Sequence, residues 1–166
     1  MPPRRRALLL LGSNLGSRAR ILRRAIAALD RLEGCRVKTI SRLYETAPIG
    51  PSCKPFLNVA LSLETSRTSM GLLIEAKRLE AAAGRRPGLR WGARPLDIDL
   101  IDVGAQRART PWLNLPHPRT ASRAFALAPL NEIAPAWKPR GRRDVSALLA
   151  SMKPGPRIVK LCSHGR

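Results

Sequence analysis

Histidine, cysteine and aromatic side chains are all scarce in this 166-residue chain: two His, three Cys, two Phe, one Tyr and three Trp. The cysteines, Cys35, Cys53 and Cys162, are odd in number and far apart. No Cys-x-x-Cys pair or histidine cluster accompanies them, which argues against a disulfide framework or a structural zinc site. They read as free thiols of a reducing compartment. No apolar run approaches the roughly 20 residues that span a bilayer. Arg4 to Arg6 followed by Ala7 to Leu11 mimic the start of a secretory signal, but the apolar stretch meets Gly12-Ser13-Asn14 at once. A signal core needs roughly 7–15 apolar residues. The stretch therefore reads as a buried first strand, and the chain as cytoplasmic with no membrane partner.

Acidic residues are scarce too, 11 against 31 Lys and Arg, for a net charge of +20. Such a surplus permits nucleic-acid binding and steers anionic substrates. A genome-wide bias toward arginine would produce the same surface. RNA-binding sheet folds stack bases on a run of aromatics. No such run occurs here, and basic charge alone supports only salt-sensitive, non-specific binding. A specific nucleic-acid partner is therefore not expected. The length, with a hydrophobic fraction of 44%, fits one domain with its own core.

Against that scarcity, the two aspartates that end Arg90-Trp-Gly-Ala-Arg-Pro-Leu-Asp-Ile-Asp99 stand out. Asp97 and Asp99 alternate with Leu96, Ile98, Leu100 and Ile101, the pattern of a short strand. Alternate side chains share a face, about 7 Å apart at Cα. Two parallel carboxylates suit a hard cation such as Mg²⁺, and the arginines just upstream suit a polyphosphate.

Periodicity supplies the frame. Leu8 to Leu11 reads as a buried strand broken by Gly12-Ser13-Asn14. Ser17 is placed to cap a helix carrying Leu22, Ala25, Ile26, Leu29 and Leu32, closed by Gly34. Val37 to Thr46 reads as a strand, and the proline-rich 47–55 as a loop long enough to cover a site. Phe56 to Glu64 alternates, with Leu57, Val59, Leu61 and Leu63 on one face and Phe56, Asn58, Ala60 and Ser62 on the other. Thr68 caps a second helix (Leu72, Ala76, Leu79, Ala83) that ends at Gly84. The aspartate strand runs to Val103. A helix over 122–133 is interrupted by Pro129, an amphipathic piece lies near 145–149, and a strand is expected at 158–161.

The order strand, helix, strand, strand, helix, strand is the split βαβ, ferredoxin-like α+β arrangement. It implies a mostly antiparallel sheet with helices packed on one face, plus C-terminal additions. The second face is then free for a site. The expected organisation is a single domain over 1–166, with a core over about 7–135 and a basic tail over 137–166.

The motifs then fall into one family's order. Leu11-Gly12-Ser13-Asn14-Leu15-Gly16 is followed by Tyr44-Glu45-Thr46-Ala47-Pro48-Ile49-Gly50-Pro51 and Phe56-Leu57-Asn58. Glu80, Gly84-Arg85, Arg90-Trp91-Gly92, Arg94 through Asp99, Pro116-His117-Pro118-Arg119 and Arg123-Ala124-Phe125 complete the series. Each motif alone is weak, but the ordered set is specific. From about Leu8 to Pro135 the chain resembles the 6-hydroxymethyl-7,8-dihydropterin pyrophosphokinases of folate biosynthesis.

The resemblance implies transfer of an intact pyrophosphoryl group from ATP to the hydroxymethyl oxygen of a reduced pterin, releasing AMP. It implies Asp97 and Asp99 as ligands of two Mg²⁺ ions, and Arg85 and Arg94 on the phosphates. Arg86 shares that role; which of Arg85, Arg86 and Arg90 meets which phosphate stays open. It implies Asn58 reading the pterin edge and Phe56 and Phe125 sandwiching the ring. Thr46, Ala47, Pro48, Ile49 and Gly50 line the pterin with backbone groups, and Asp97 borders it. Lys77, Glu80, Trp91, Ile98, His117 and Arg123 fall on the ATP side. Loops 47–55 and 84–93 are expected to order on ATP binding. A monomer is expected, with ATP and the reduced pterin as its small-molecule partners.

Ala93 stands where many relatives carry proline, Pro95 replaces a β-branched or small residue, and Trp112 and Ala124 depart from some relatives. Trp112 puts the ATP ribose contacts in doubt. Two other readings compete: a nucleic-acid binder, and an inactive relative kept for binding. The intact Asp97/Asp99 pair, Asn58 and both phenylalanines argue against the latter.

Overall fold

The computed structural model describes residues 3–47, 54–86, 93–139 and 141–152, and the backbone alone of 158–162. Pro48, Ile49, Gly50, Arg90 and Trp91 lie outside the described residues. β1 (Arg5–Ser13) is the middle of the architecture. It pairs antiparallel with β4 (Phe56–Thr65) on one side and β5 (Asp97–Val103) on the other. The outer side of β4 pairs with β2 (Cys35–Ile40) along one half and β3 (Leu43–Thr46) along the other. The antiparallel sheet expected from the motif order is present.

Two departures from the expected strands have local causes. The anticipated strand over 37–46 divides at Ser41-Arg42. The Ser41 N–H donates to Ala60 O at 2.8 Å, and its hydroxyl accepts from Ala60 N at 2.9 Å. One residue thus takes both backbone groups of Ala60 and ends the ladder. β1 does not stop at Leu11: Gly12 and Ser13 keep pairing, with Asn58 and Leu57. Neighbours on both sides hold that glycine extended.

Strand alternation sorts the side chains into two layers. Leu9, Leu11, Leu57, Val59, Leu61, Leu63, Ile98 and Leu100 face α1 (Arg18–Arg31) and α2 (Ser69–Ala82), with Leu22, Ala25, Ile26, Leu29, Leu72 and Ala76 in the same cluster. Thr68 caps α2 by accepting from Gly71 N at 3.0 Å. Ser17 stands at the N-terminal position of α1, but its side chain makes no capping bond.

Leu8, Leu10, Ala60 and Ile101 face the other way. They are covered by α3 (Ala124–Ile133), by Trp137 and by α4 (Val145–Ala150). Among the described residues these elements cover part of the second face and leave the end at Gly12, Asn58 and Asp97 uncovered. The C-terminal additions build a third layer over the rest. α3 runs through Pro129 without interruption. Proline removes one backbone donor, and burial of Ala126, Leu127 and Leu130 against the sheet offsets that loss. The Tyr44 hydroxyl donates to Glu132, tying α3 to β3.

The strand expected at 158–161 is β8 (Ile158–Cys162), paired antiparallel with β3. No helix among the described residues is long and apolar enough to cross a membrane. Cys35 is a free thiol, 3.3 Å from the Thr65 hydroxyl.

Candidate active site

The uncovered end of the second face is a cavity of about 220 Å³ lined by Gly12, Thr46, Phe56, Asn58, Asp97 and Asp99, with His117, Phe125 and several arginines around them. Sheet register explains how residues so distant in sequence meet there. Gly12 pairs with Asn58 on one side and Asp97 on the other. Tyr44 pairs with Asn58, and Thr46 with Phe56. The amide and the carboxylate therefore stand two strands apart with a glycine between them. Asp99 pairs with Leu10 on the next row and shares the face of Asp97.

Gly12 carries a role that the motif reading did not assign. A Cβ there would lie 3.0 Å from Asn58 Oδ1 and 3.6 Å from Phe56 Cδ1. The missing side chain keeps the cavity floor low beside both groups. Gly12→Ala is expected to weaken pterin binding about tenfold, within the cost of about 1–3 kcal/mol for forcing an extra carbon into a packed site. A fluorescence titration with the pterin measures it; an unchanged Kd would remove Gly12 from the site.

Asn58 is buried, and its amide nitrogen donates to Thr46 Oγ1 at 2.9 Å. That bond fixes the amide orientation and leaves Oδ1 as the acceptor on the Gly12 side. Arg18 fastens the ends of the 47–55 segment, donating to Pro55 O at 2.7 Å and to Glu45 at 2.6 Å. Phe56 and Phe125 both line the cavity, and Arg123 Cζ lies 5.5 Å from the Phe125 ring centroid.

The carboxylates are embedded in arginines. Arg85 reaches both Asp97 and Glu80 at 2.6 Å, and Arg94 reaches Asp97 at 3.1 Å. Glu80 is buried on α2, takes Lys77 at 3.0 Å, and accepts the Ile98 N–H at 2.8 Å. β5 ends the sheet, so its outer N–H groups need such a partner. The bond fixes the start of the aspartate strand to α2.

Asn14 secures Arg94 from the other side. Its backbone N–H donates to Arg94 O at 3.1 Å, and its Oδ1 accepts from Arg94 N at 2.6 Å. Burial, and then the charge of Asp97, push the Asp99 carboxyl up to about 6; Arg123 and Lys77 oppose that rise.

His117 accepts at Nδ1 from the Arg119 backbone N–H at 3.3 Å. A backbone N–H only donates, so Nδ1 is bare and the ring proton sits on Nε2. Burial first, then Arg123 and Arg119, lower its pKa to about 4. At neutral pH His117 is an uncharged Nε2–H donor in the cavity wall.

Not every residue from the motif reading reaches the cavity. Ile98 is buried in the opposite layer, 1% exposed, with its N–H taken by Glu80. Strand parity turns it away whenever Asp97 and Asp99 face in. Lys77 and Arg85 stand at the margin, both on Glu80, and Arg85 on Asp97 as well. Arg86 is exposed. Trp112 is also exposed, between β6 (Ala108–Arg109) and β7 (Asn114–Leu115). Leu10, Gly12 and Arg119 line the cavity without having been assigned to it. The Gly-Ser-Asn and His-Pro-Arg motifs held the signal for the last two.

Among the described residues no three His, Cys, Asp or Glu side chains form a metal cluster. Mg²⁺ is commonly held by one or two carboxylates, its remaining places filled by substrate phosphates and water. Asp97 and Asp99 fit that mode: they share a face and a cavity, and Asp99 holds its charge at a cost that a cation would relieve.

Paired carboxylates among arginines, beside a slot lined by two phenylalanines and an oriented amide, fit a protein that handles phosphate and a flat heterocycle. The family model for 7,8-dihydro-6-hydroxymethylpterin-pyrophosphokinase (HPPK) matches residues 8–135, and the chain belongs to this family. It is 36% identical over 147 residues to a 2-amino-4-hydroxy-6-hydroxymethyldihydropteridine pyrophosphokinase of Pseudomonas aeruginosa, covering 88% of this chain and 91% of that one. A protein of the same name from Methylorubrum extorquens is 42% identical over 131 residues, covering 78% and 83%. A crystal structure of wild-type Plasmodium falciparum HPPK-DHPS matches 88% of this chain with a TM-score of 0.67 at 14% identity. The chain spans 43% of that longer protein, and the likeness concerns the fold alone.

Proposed function

We propose that the cavity seats the reduced pterin and the triphosphate of ATP side by side, with Asp97 and Asp99 as the ligands of two Mg²⁺ ions between them. As a member of its family the chain is a pyrophosphokinase of folate biosynthesis. It moves pyrophosphate from ATP to the hydroxymethyl oxygen of 6-hydroxymethyl-7,8-dihydropterin, and AMP leaves. The observation that carries the reading is the sheet row Asn58–Gly12–Asp97. It sets a heterocycle-reading amide beside a phosphate-side carboxylate.

The bond from the hydroxymethyl oxygen to the β-phosphorus forms as the bond from that phosphorus to the α-phosphate oxygen breaks; AMP leaves with that oxygen, and the hydroxyl proton passes to water. Little covalent help is required of the protein; positioning and charge stabilisation are. Asn58 and the backbone near Thr46 and Ala47 orient the pterin, and Phe56 and Phe125 hold its faces. Bound Mg²⁺ supplies charge neutralisation and alignment of the reacting oxygens.

Arg94 and Arg85 are paired with Asp97 in the free protein. They exchange that partner for phosphate oxygens when nucleotide enters, which frees the carboxylate for metal. His117 donates from Nε2 without adding charge. The proposal extends to a monomer in the cytoplasm, one domain over 1–166 acting on two small-molecule substrates.

Pterin-dependent release of AMP, and not ADP, is the direct assay of the transfer. The metal assignment has its own test in a carboxyl-carbon NMR titration. Because the Asp99 pKa is raised, its charged, metal-binding form predominates only above about pH 6, and metal affinity is lost as pH falls through that value. A bound cation favours the carboxylate and pulls its midpoint down. A midpoint near 6 without metal should drop by about one unit or more with Mg²⁺ and a non-hydrolysable ATP analogue. A midpoint that stays in place refutes Asp99 as a ligand.

A further inference from the structure

Among the described residues, Arg119 is a basic residue of the cavity whose side chain has no hydrogen-bond or ion-pair partner. Arg94 is paired with Asp97, and Arg123 lies over Phe125. Arg119 lines the same cavity and is exposed on its solvent side. Among the described residues its guanidinium makes no hydrogen bond or ion pair. Its backbone, by contrast, is fixed. The N–H donates to His117 Nδ1 at 3.3 Å, and the carbonyl accepts from Ser122 N at 3.3 Å and Ser122 Oγ at 3.1 Å.

The cavity therefore presents a charged, exposed side chain from a backbone held by hydrogen bonds to His117 and Ser122. Its charge adds to the electrostatic crowding at His117, to which Arg123 also contributes. A cation placed among cations is unfavourable in the empty site, and an entering polyanion relieves it. The planar fork of arginine suits the terminal oxygens of a phosphate. Arg119 shares its cavity with Thr46, Phe56, Asn58 and Phe125, so its reach is to the group that ends on the pterin.

We propose that Arg119 binds the pyrophosphoryl group itself, holding the terminal phosphate of ATP before transfer and the diphosphate on the pterin after it. The inference rests on the placement of substrates proposed above. Since every hydrogen bond of residue 119 among the described residues uses its backbone, Arg119→Ala should remove the guanidinium and leave the fold intact.

The experiment compares Kd for 6-hydroxymethyl-7,8-dihydropterin and for its diphosphate, both with Mg²⁺. The proteins are the wild type, Arg119→Ala, Arg119→Lys, and Arg24→Ala as a control that removes one exposed charge from α1. Arg119→Ala should weaken the diphosphate by about tenfold or more, as for a lost charge-assisted hydrogen bond. It should leave the alcohol within about twofold and raise the KM for ATP. Lysine should restore part of the loss, and Arg24→Ala should match the wild type.

Unchanged diphosphate binding in Arg119→Ala overturns the proposal. So does an equal loss in Arg24→Ala, which would mean a general field effect. Asp97→Ala/Asp99→Ala distinguishes a wrong site from a wrong role for Arg119. Undiminished AMP release in that variant refutes the site itself. Loss of release there, with intact diphosphate binding in Arg119→Ala, refutes only the role of Arg119.

Discussion

Asp97→Ala is expected to lower pterin-dependent AMP release by on the order of 10² or more, the usual scale for removing a pre-placed electrostatic stabiliser from a reacting centre. The structure also says what should change little. The Arg85–Asp97 and Arg94–Asp97 pairs join side chains that are a quarter or more exposed in most partners (26%, 29% and 24%). Partly buried pairs that still reach solvent contribute on the order of 1 kcal/mol, so the melting temperature should fall by no more than a few degrees. Arg85 keeps Glu80 as a partner. With the carboxylate gone, Arg94 is free for phosphate, so metal-free nucleotide binding should hold or tighten while turnover falls. Nucleotide chromatography gives the first quantity and calorimetry the second. Near-normal turnover in a folded variant would sink the metal assignment.

Asn58→Ala is expected to weaken the pterin by about 10²-fold, with a far smaller effect on ATP. A site built to hydrogen-bond its ligand loses on the order of 1–3 kcal/mol for each buried group left unmatched. The amide is buried and held by Thr46, so truncation removes both the reading group and the partner of the threonine hydroxyl. Separate titrations with pterin and with an ATP analogue distinguish the two substrates. Equal losses for both would indicate a collapsed sheet, and no loss for the pterin would remove Asn58 from its edge.

Much of this molecule could be read from the chain, because its regular parts rest on local periods. The alternation over Phe56 to Glu64 sent Leu57, Val59, Leu61 and Leu63 to one layer and Asn58 and Ala60 to the other. The stripes on α1 and α2 are set by the same logic at a spacing of 3.6 residues. Asp97 and Asp99 share a face for the same reason that Ile98 cannot join them. Inclusion of Ile98 among the nucleotide contacts came from the resemblance, and strand parity argues against its side chain.

What the chain by itself determined, then, is where most of the elements lie, which face each presents, and, through the ordered motifs, the family and its chemistry. Tertiary structure alone decided which residues meet. The Asn58–Gly12–Asp97 row comes from the register of three strands. The grip of Asn14 on Arg94 spans 80 positions. The contact of Glu80 with Ile98 depends on α2 lying along the edge of β5. The closing of the second face by α3, Trp137 and α4 depends on apolar burial between segments with no shared period. Local pattern is fixed by backbone geometry within a few residues. Register, edge protection and layer stacking are fixed by hydrogen bonds and burial between distant ones, and the cavity is built almost entirely from the second kind.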